Sequence, residues 1–169
     1  KAAANHNIKT STKKLLKYRR MTVELLFAER NHICSACIAN NNCELQKLGY
    51  EAGMDHVSIA YLFQSCETDM SHKSFMMDHN RCVMCARCVR VCREVEGAQT
   101  WDMMNRGYKA RVVNDFKGKW GESTTCTSCG KCVQVCPVGA LWPKDALQGQ
   151  TVKTPEMISE LVEKRKMNL

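Results

Sequence analysis

Apolar residues recur at helical spacing from Ser11 or Thr12 to about Arg30. Leu15, Tyr18, Leu25 and Leu26 fall on one side, with Leu16, Val23 and Phe27 beside them. The first half of this predicted helix carries Lys13, Lys14, Lys17, Arg19 and Arg20, a placement that opposes the helix dipole. An exposed face is the expected explanation, a compensating partner or bound group the alternative. A short helix is predicted from Glu44 to about Glu51, with Gly49 or Gly53 near its end. Residues 54–75 show no period and read as a mostly irregular linker containing Cys66. Phe75, Met76 and Met77 make a short apolar piece, and residues 86–96 read as helix stopping at Gly97. Residues 99–103 and 110–113 read as two strands turning through Asn105, Arg106 and Gly107. A short helix then leads to Cys136 and Pro137. Thr154 as cap and Pro155 in the first turn start a last helix. Its stripe of Met157, Ile158, Leu161 and Val162 is expected to pack on its own domain, or else on a partner subunit.

The chemistry lies in the cysteines. Cys82, Cys85, Cys88 and Cys92 form one C-x2-C-x2-C-x3-C run, and Cys126, Cys129, Cys132 and Cys136 repeat it 44 residues later, with Pro137 following. This is the bacterial ferredoxin pattern for [4Fe–4S] clusters, in which the fourth cysteine of each run ligates the other cluster. One cluster is therefore assigned to Cys82, Cys85, Cys88 and Cys136, and another to Cys126, Cys129, Cys132 and Cys92. A third set, Cys34, Cys37 and Cys43, lies next to His32, with Asn40, Asn41 and Asn42 suited to a tight turn between ligands. His32 is the expected fourth ligand. Its rivals are Cys66 and, more weakly, His56, His72 and His79. Eleven cysteines and one histidine fill three four-ligand sites, which leaves Cys66 as a small buried apolar side chain. A neutral imidazole in place of a thiolate makes a cluster less anionic and raises its potential. The expected architecture is α+β: a helical segment over residues 1–73, a two-cluster ferredoxin-like unit over 74–145, and a helical tail over 146–169.

Composition narrows the alternatives. Structural zinc needs two cysteine knuckles, or a cysteine pair and a histidine pair, and has no use for a third cysteine at the same spacing and a fourth beyond it. A disulfide scaffold is disfavoured because no signal segment is visible and the cysteines cluster at metal-ligand spacing. A reduced, cytoplasmic compartment fits such thiols best. No apolar stretch approaches the ~20 residues needed to span a membrane. The formal charge of +8 treats cysteine as neutral. Three 2+ cores contribute six positive charges and eleven thiolates eleven negative ones, which lowers the total to about +3. Arg81, Arg87, Arg90, Arg93 and Lys131 lie where a counter-field to anionic clusters would act, although each alone is expected on a solvated helix face. The runs lack the interleaved aromatics of a single-strand nucleic-acid surface. There is no Gly-rich phosphate loop and no nucleophile beside a base, so no catalytic site is expected.

The order of these parts resembles a known family. A histidine and three cysteines ending Cys43-Glu44-Leu45-Gln46, then a two-cluster unit, is similar to the electron-input arm of the complex I large peripheral subunit. It also resembles the N-terminal regions of [FeFe]-hydrogenases and NAD-dependent formate dehydrogenases. From residues 19–27 (RRMTVELLF) through 31–34 (NHIC), 53–56 (GMDH), 78–82 (DHNRC) and 126–132 (CTSCGKC), the chain is identified as a member of the diaphorase small (gamma) subunits of NAD-reducing, bidirectional [NiFe]-hydrogenases. The resemblance covers roughly residues 10–145. It implies a chain relaying electrons between a flavin- and NAD-binding diaphorase subunit and the small hydrogenase subunit of a hetero-oligomer. FMN, NAD and the Ni–Fe centre would then sit on those partners. Other readings are a wiring module of a formate dehydrogenase or electron-bifurcating [FeFe]-hydrogenase, and a non-redox zinc protein. Two departures stand out. The family's usual N-terminal [2Fe–2S] domain is missing before Cys34, so the chain, which opens on Lys1, is expected either to be part of something longer or to lack that domain naturally. Complex I and [FeFe] relatives place the histidine ligand where this chain has Arg30, whereas His32 follows the [NiFe]-diaphorase branch.

Overall fold

The computed structural model describes residues 7–146 and 155–167. Helix α1 (Lys13–Glu29) starts at Thr12, whose side chain accepts a hydrogen bond from the Leu15 amide at 3.3 Å. Helix α2 (Glu44–Glu51) packs across its C-terminal half. A Cβ on Gly49 would stand only 3.3 Å from the Phe27 ring, so this mid-helix glycine lets the two helices approach. The expected apolar stripe of α1 is corrected in part. Val23 and Ala28 are buried, Leu26 and Phe27 partly so, but Leu15, Leu16, Tyr18 and Leu25 are exposed. The reason is that, among the described residues, α2, His32 and residues 54–64 pack on the C-terminal half of α1, and its basic first half extends beyond them.

The linker has little regular structure but is pinned. The Leu62 amide donates to the Ala28 carbonyl at 2.9 Å, Asn31 Nδ2 to the Gln64 carbonyl at 2.8 Å, and both the amide and hydroxyl of Ser58 to Glu24 at 2.5 Å. It also contains a strand that periodicity misses, β1 (Thr68–Asp69). β1 pairs antiparallel with β2 (Phe75–Asp78), and β2 with β5 (Leu141–Pro143), giving the order β1-β2-β5. A two-residue strand has no measurable period, which explains the miss.

Helix α3 (Arg87–Val91) continues as a π turn over Cys92–Glu96 and ends at Gly97, whose φ of +78° only glycine adopts freely. The predicted hairpin follows as β3 (Trp101–Met104) and β4 (Arg111–Asn114). Helix α4 (Lys131–Val135) packs against α3, and the tail helix α5 (Pro155–Met167) lies against α4 and the π turn. Thr154 and the side chains of Met157, Ile158 and Leu161 lie outside the described residues; Val162 is exposed. The core runs between the sheets and α3/α4, with Met77, Val112, Trp120 and Leu141 at 2 % exposure or less.

Candidate metal centres

Both cysteine runs adopt one backbone device. The third and fifth residues of each have positive φ: Met84 and Ala86 in the first, Ser128 and Gly130 in the second. Left-handed residues at alternate positions curl the chain into a cup and gather its amides toward the concave side. Three of these four carry a Cβ, and such strain persists only where the surroundings over-determine it. Between Cys37 and Cys43 the turn is made by Asn41 at φ +66°, the role expected of the asparagine run.

The first cavity encloses about 310 Å³ of non-atom space, partly open to solvent, and its lining includes His32, Cys34, Cys37 and Cys43. Of the candidate fourth ligands, His32 alone lines it. His56 is exposed against Asp55, His72 sits beside Cys126, and Cys66 and His79 line a separate groove. The His32 Nε2 atom is buried without a hydrogen-bond partner, and its ring meets Phe27 edge-on. Burial, and then the Arg81 and Arg30 charges, pull its pKa down to about 4, so the imidazole is neutral. Gly139 forms part of the wall: a Cβ there would stand 2.5 Å from the Cys37 sulfur.

A second cavity, with about 320 Å³ of non-atom space partly open to solvent, is lined by Cys92 together with Cys126, Cys129 and Cys132. The Trp120 indole N–H donates to the Cys126 sulfur and the Thr100 amide to the Cys92 sulfur, each at 3.3 Å. Trp120 in turn stacks among His72, Phe75 and Trp101. Cys136 stands near enough to Cys82, Cys85 and Cys88 to add to the rise of their thiols, as Cys92 does for Cys132. The fourth cysteine of each run thus stands with the first three of the other.

Burial dominates the thiols. It pushes Cys82 and Cys132 up to about 12 and Cys88 well above its ordinary value, with neighbouring cysteines adding to the rise. Such thiols stay protonated near neutral pH unless a cation displaces the proton. All twelve cysteines are free. Among the described residues, no three His, Cys, Asp or Glu side chains converge tightly enough to hold a lone ion. Donors ringing a cavity, an orphaned imidazole nitrogen and a wall that admits no Cβ fit a polynuclear group better than a single tetrahedral ion.

Some expectations change here. Cys66 is half-buried and accepts a hydrogen bond from the Arg30 guanidinium at 3.3 Å, so it is not a plain apolar filler. Arg81 and Lys131 are not on solvated faces, and Arg87, though 36 % exposed, is held in an ion pair. Arg81 donates to the Asn31 carbonyl and lines the first cavity, Arg87 forks onto Glu44 at 2.5 and 2.7 Å, and Lys131 pairs with Glu96. Arg90 and Arg93 remain exposed. Sequence reasoning missed His72, Thr100 and Trp120 as neighbours of the cysteine sulfurs. The available signal was that a buried indole needs an acceptor, and Trp120 lies six residues from Cys126.

Comparison with known proteins agrees with this layout. Residues 19–58 match the NADH-ubiquinone oxidoreductase-G iron-sulfur binding region, and residues 73–142 match the NADH-quinone oxidoreductase subunit 3 ferredoxin-like domain. The NADP-reducing hydrogenase subunit HndD of Solidesulfovibrio fructosivorans is 34% identical over 81% of this chain and 23% of its own. The gamma subunit of the NAD-reducing hydrogenase HoxS of Cupriavidus necator is 30% identical over 82% of this chain and 58% of its own. The chain thus spans less than two thirds of these curated relatives. A chain in the crystal structure of an NAD+-reducing [NiFe]-hydrogenase in the H2-reduced state superposes with a TM-score of 0.78 at 30% identity, covering 92% of this chain and 68% of that one. The chain belongs to the family of diaphorase gamma-type iron–sulfur subunits of NAD-reducing hydrogenases, which is related to the iron–sulfur subunits of NADH-quinone oxidoreductase.

Proposed function

We propose that this chain carries electrons through three [4Fe–4S] clusters between a flavin- and NAD(H)-binding subunit and the small subunit of a [NiFe]-hydrogenase, serving NAD+ + H2 = NADH + H+ in a cytoplasmic hetero-oligomer. The ligand sets are His32, Cys34, Cys37 and Cys43; Cys82, Cys85, Cys88 and Cys136; and Cys92, Cys126, Cys129 and Cys132. FMN, NAD and the Ni–Fe centre belong to the partner subunits, and this chain has no active site of its own. The observation that carries the reading is where the fourth cysteines lie, Cys136 beside Cys82, Cys85 and Cys88, and Cys92 in the cavity of Cys126, Cys129 and Cys132, which supports an exchange of fourth ligands between the runs. Bound clusters supply one-electron exchange without proton chemistry. The chain's own residues set the conditions for it. Trp120 and Thr100 donate N–H bonds to cysteine sulfurs, which favours the electron-rich state. His32 brings a neutral donor where a thiolate would add charge, and Arg81 adds a cation at the same wall.

Iron and acid-labile sulfide are the first test. Anaerobically purified protein should contain about twelve of each per chain, at four per cubane. Near eight of each removes the His32 site from the proposal, and zinc in their place removes the function. Cys92→Ala should damage the cluster bound by Cys126, Cys129 and Cys132. If spectra show loss of the cluster bound by Cys82, Cys85 and Cys88 instead, the exchanged ligation is wrong.

A further inference from the structure

A groove unrelated to the cysteine cups lies between the two sheets, flanked by residues 64–71 on one side and 109–114 on the other. Among the described residues only the first flank is an open strand edge: Thr68 is exposed, whereas Val112 and Asn114 on the other are 1 % and 5 % exposed. β1 is the outer strand of its sheet, and β4 pairs only with β3. The His79 amide bonds the Glu67 carbonyl and the register pairs Thr68 with Asp78, so alternation turns the main chain of Thr68 outward. On the other flank the Asp115 amide bonds the Thr100 carbonyl and Trp101 pairs with Asn114, which turns the main chain of Val112 and the Asn114 amide away from β3.

The groove is also cationic and short of acceptors. Arg30, Lys109, Arg111 and Lys119 line it against only Glu67 and Asp69, and Asp69 is already engaged by the Trp120 amide. Arg30 is 4 % exposed, its two terminal nitrogens engage Cys66 and the Ala110 carbonyl, and Glu29 stands 3.6 Å away, so the positive excess of the groove comes from Lys109, Arg111 and Lys119. The Nε atoms of Arg30 and Arg111 and the Nδ2 of Asn114, itself 5 % exposed, are buried without partners. All three are donors.

We propose that this groove takes an extended, acidic segment of a partner subunit, which adds as a strand to the edge of β1 and sets its carboxylates on Lys109, Arg111 and Lys119. Charge complementarity selects that occupant. Residues 1–6 and 147–154 of this chain contain no Asp or Glu, so they offer the groove no carboxylate side chain. The proposal rests on the multisubunit reading above, and the test separates the two.

The test uses the intact complex with a photo-crosslinking residue at Thr68 or, independently, at Lys119, both exposed on the groove flanks. Mass spectrometry of the product should show an Asp- or Glu-rich peptide from another subunit. The Lys109→Glu, Arg111→Glu double variant should reduce that yield at least tenfold with iron and sulfide unchanged. Crosslinks confined to this chain or a second copy, a neutral or basic peptide, or no crosslink from either position overturns the groove assignment. Full iron content in such a sample leaves the electron-transfer reading intact, whereas lost iron in the unsubstituted complex speaks against that reading instead.

Discussion

Trp120 shows how one side chain couples packing to the candidate chemistry. Its ring fills the core beside His72, Phe75 and Trp101, and its only polar atom donates to the Cys126 sulfur. Trp120→Phe keeps an aromatic ring and removes the N–H. A hydrogen bond worth about 1 kcal/mol corresponds to roughly 40 mV for a one-electron couple. The cluster at Cys126 should therefore become harder to reduce by about that amount in a redox titration, while the other two hold their potentials. An unchanged or raised potential in that variant removes Trp120 from the tuning role. Arg30 makes the opposite point. It lies two residues before His32, yet its guanidinium points to Cys66 and Ala110 rather than to the first cavity. No local pattern in the sequence pairs Arg30 with Cys66, because the two lie 36 residues apart.

Among the elements, the regular ones were legible and the pinned irregular ones were not. α1, α2 and the β3–β4 hairpin follow from spacing, capping and turn residues within a few positions of each other. The linker had no period to read, yet Glu24 on α1 holds Ser58 through its amide and its hydroxyl. These two donors hold the Glu24 carboxyl below its ordinary 4.5. The contact is therefore present at neutral pH and lost as pH falls through that lowered value. Glu24→Gln should speed hydrogen exchange at the Ser58 amide by about tenfold at neutral pH, since charged acceptors bind more strongly than neutral ones. Unchanged exchange there means the linker is held by Leu62 and Gln64 instead. The exposed side of α1 belongs to the same lesson. Periodicity marks a side as apolar, but only a neighbouring element decides whether it is covered.

At the scale of the molecule, the segment of residues 34–43 is seated on the loop that follows Cys136. The Glu44 amide donates to the Pro137 carbonyl at 2.8 Å, Arg87 grips the Glu44 carboxylate, and Gly139 leaves no room for a Cβ beside Cys37. Gly139→Ala should push Cys37 from the cavity and lower iron by about four per chain. Gly118→Ala, whose Cβ would meet nothing nearer than 3.7 Å, should leave iron unchanged. Equal iron in both variants means the seam tolerates the methyl group. The family and the α+β class were carried by the sequence, because ligand spacing and helix periodicity are local properties of the chain. Which donors reach the cysteine sulfurs, which arginines are buried, and which strand edge stays open depended on tertiary structure. Those follow from contacts made only on folding, some between residues tens of positions apart, and one-dimensional spacing carries no record of them.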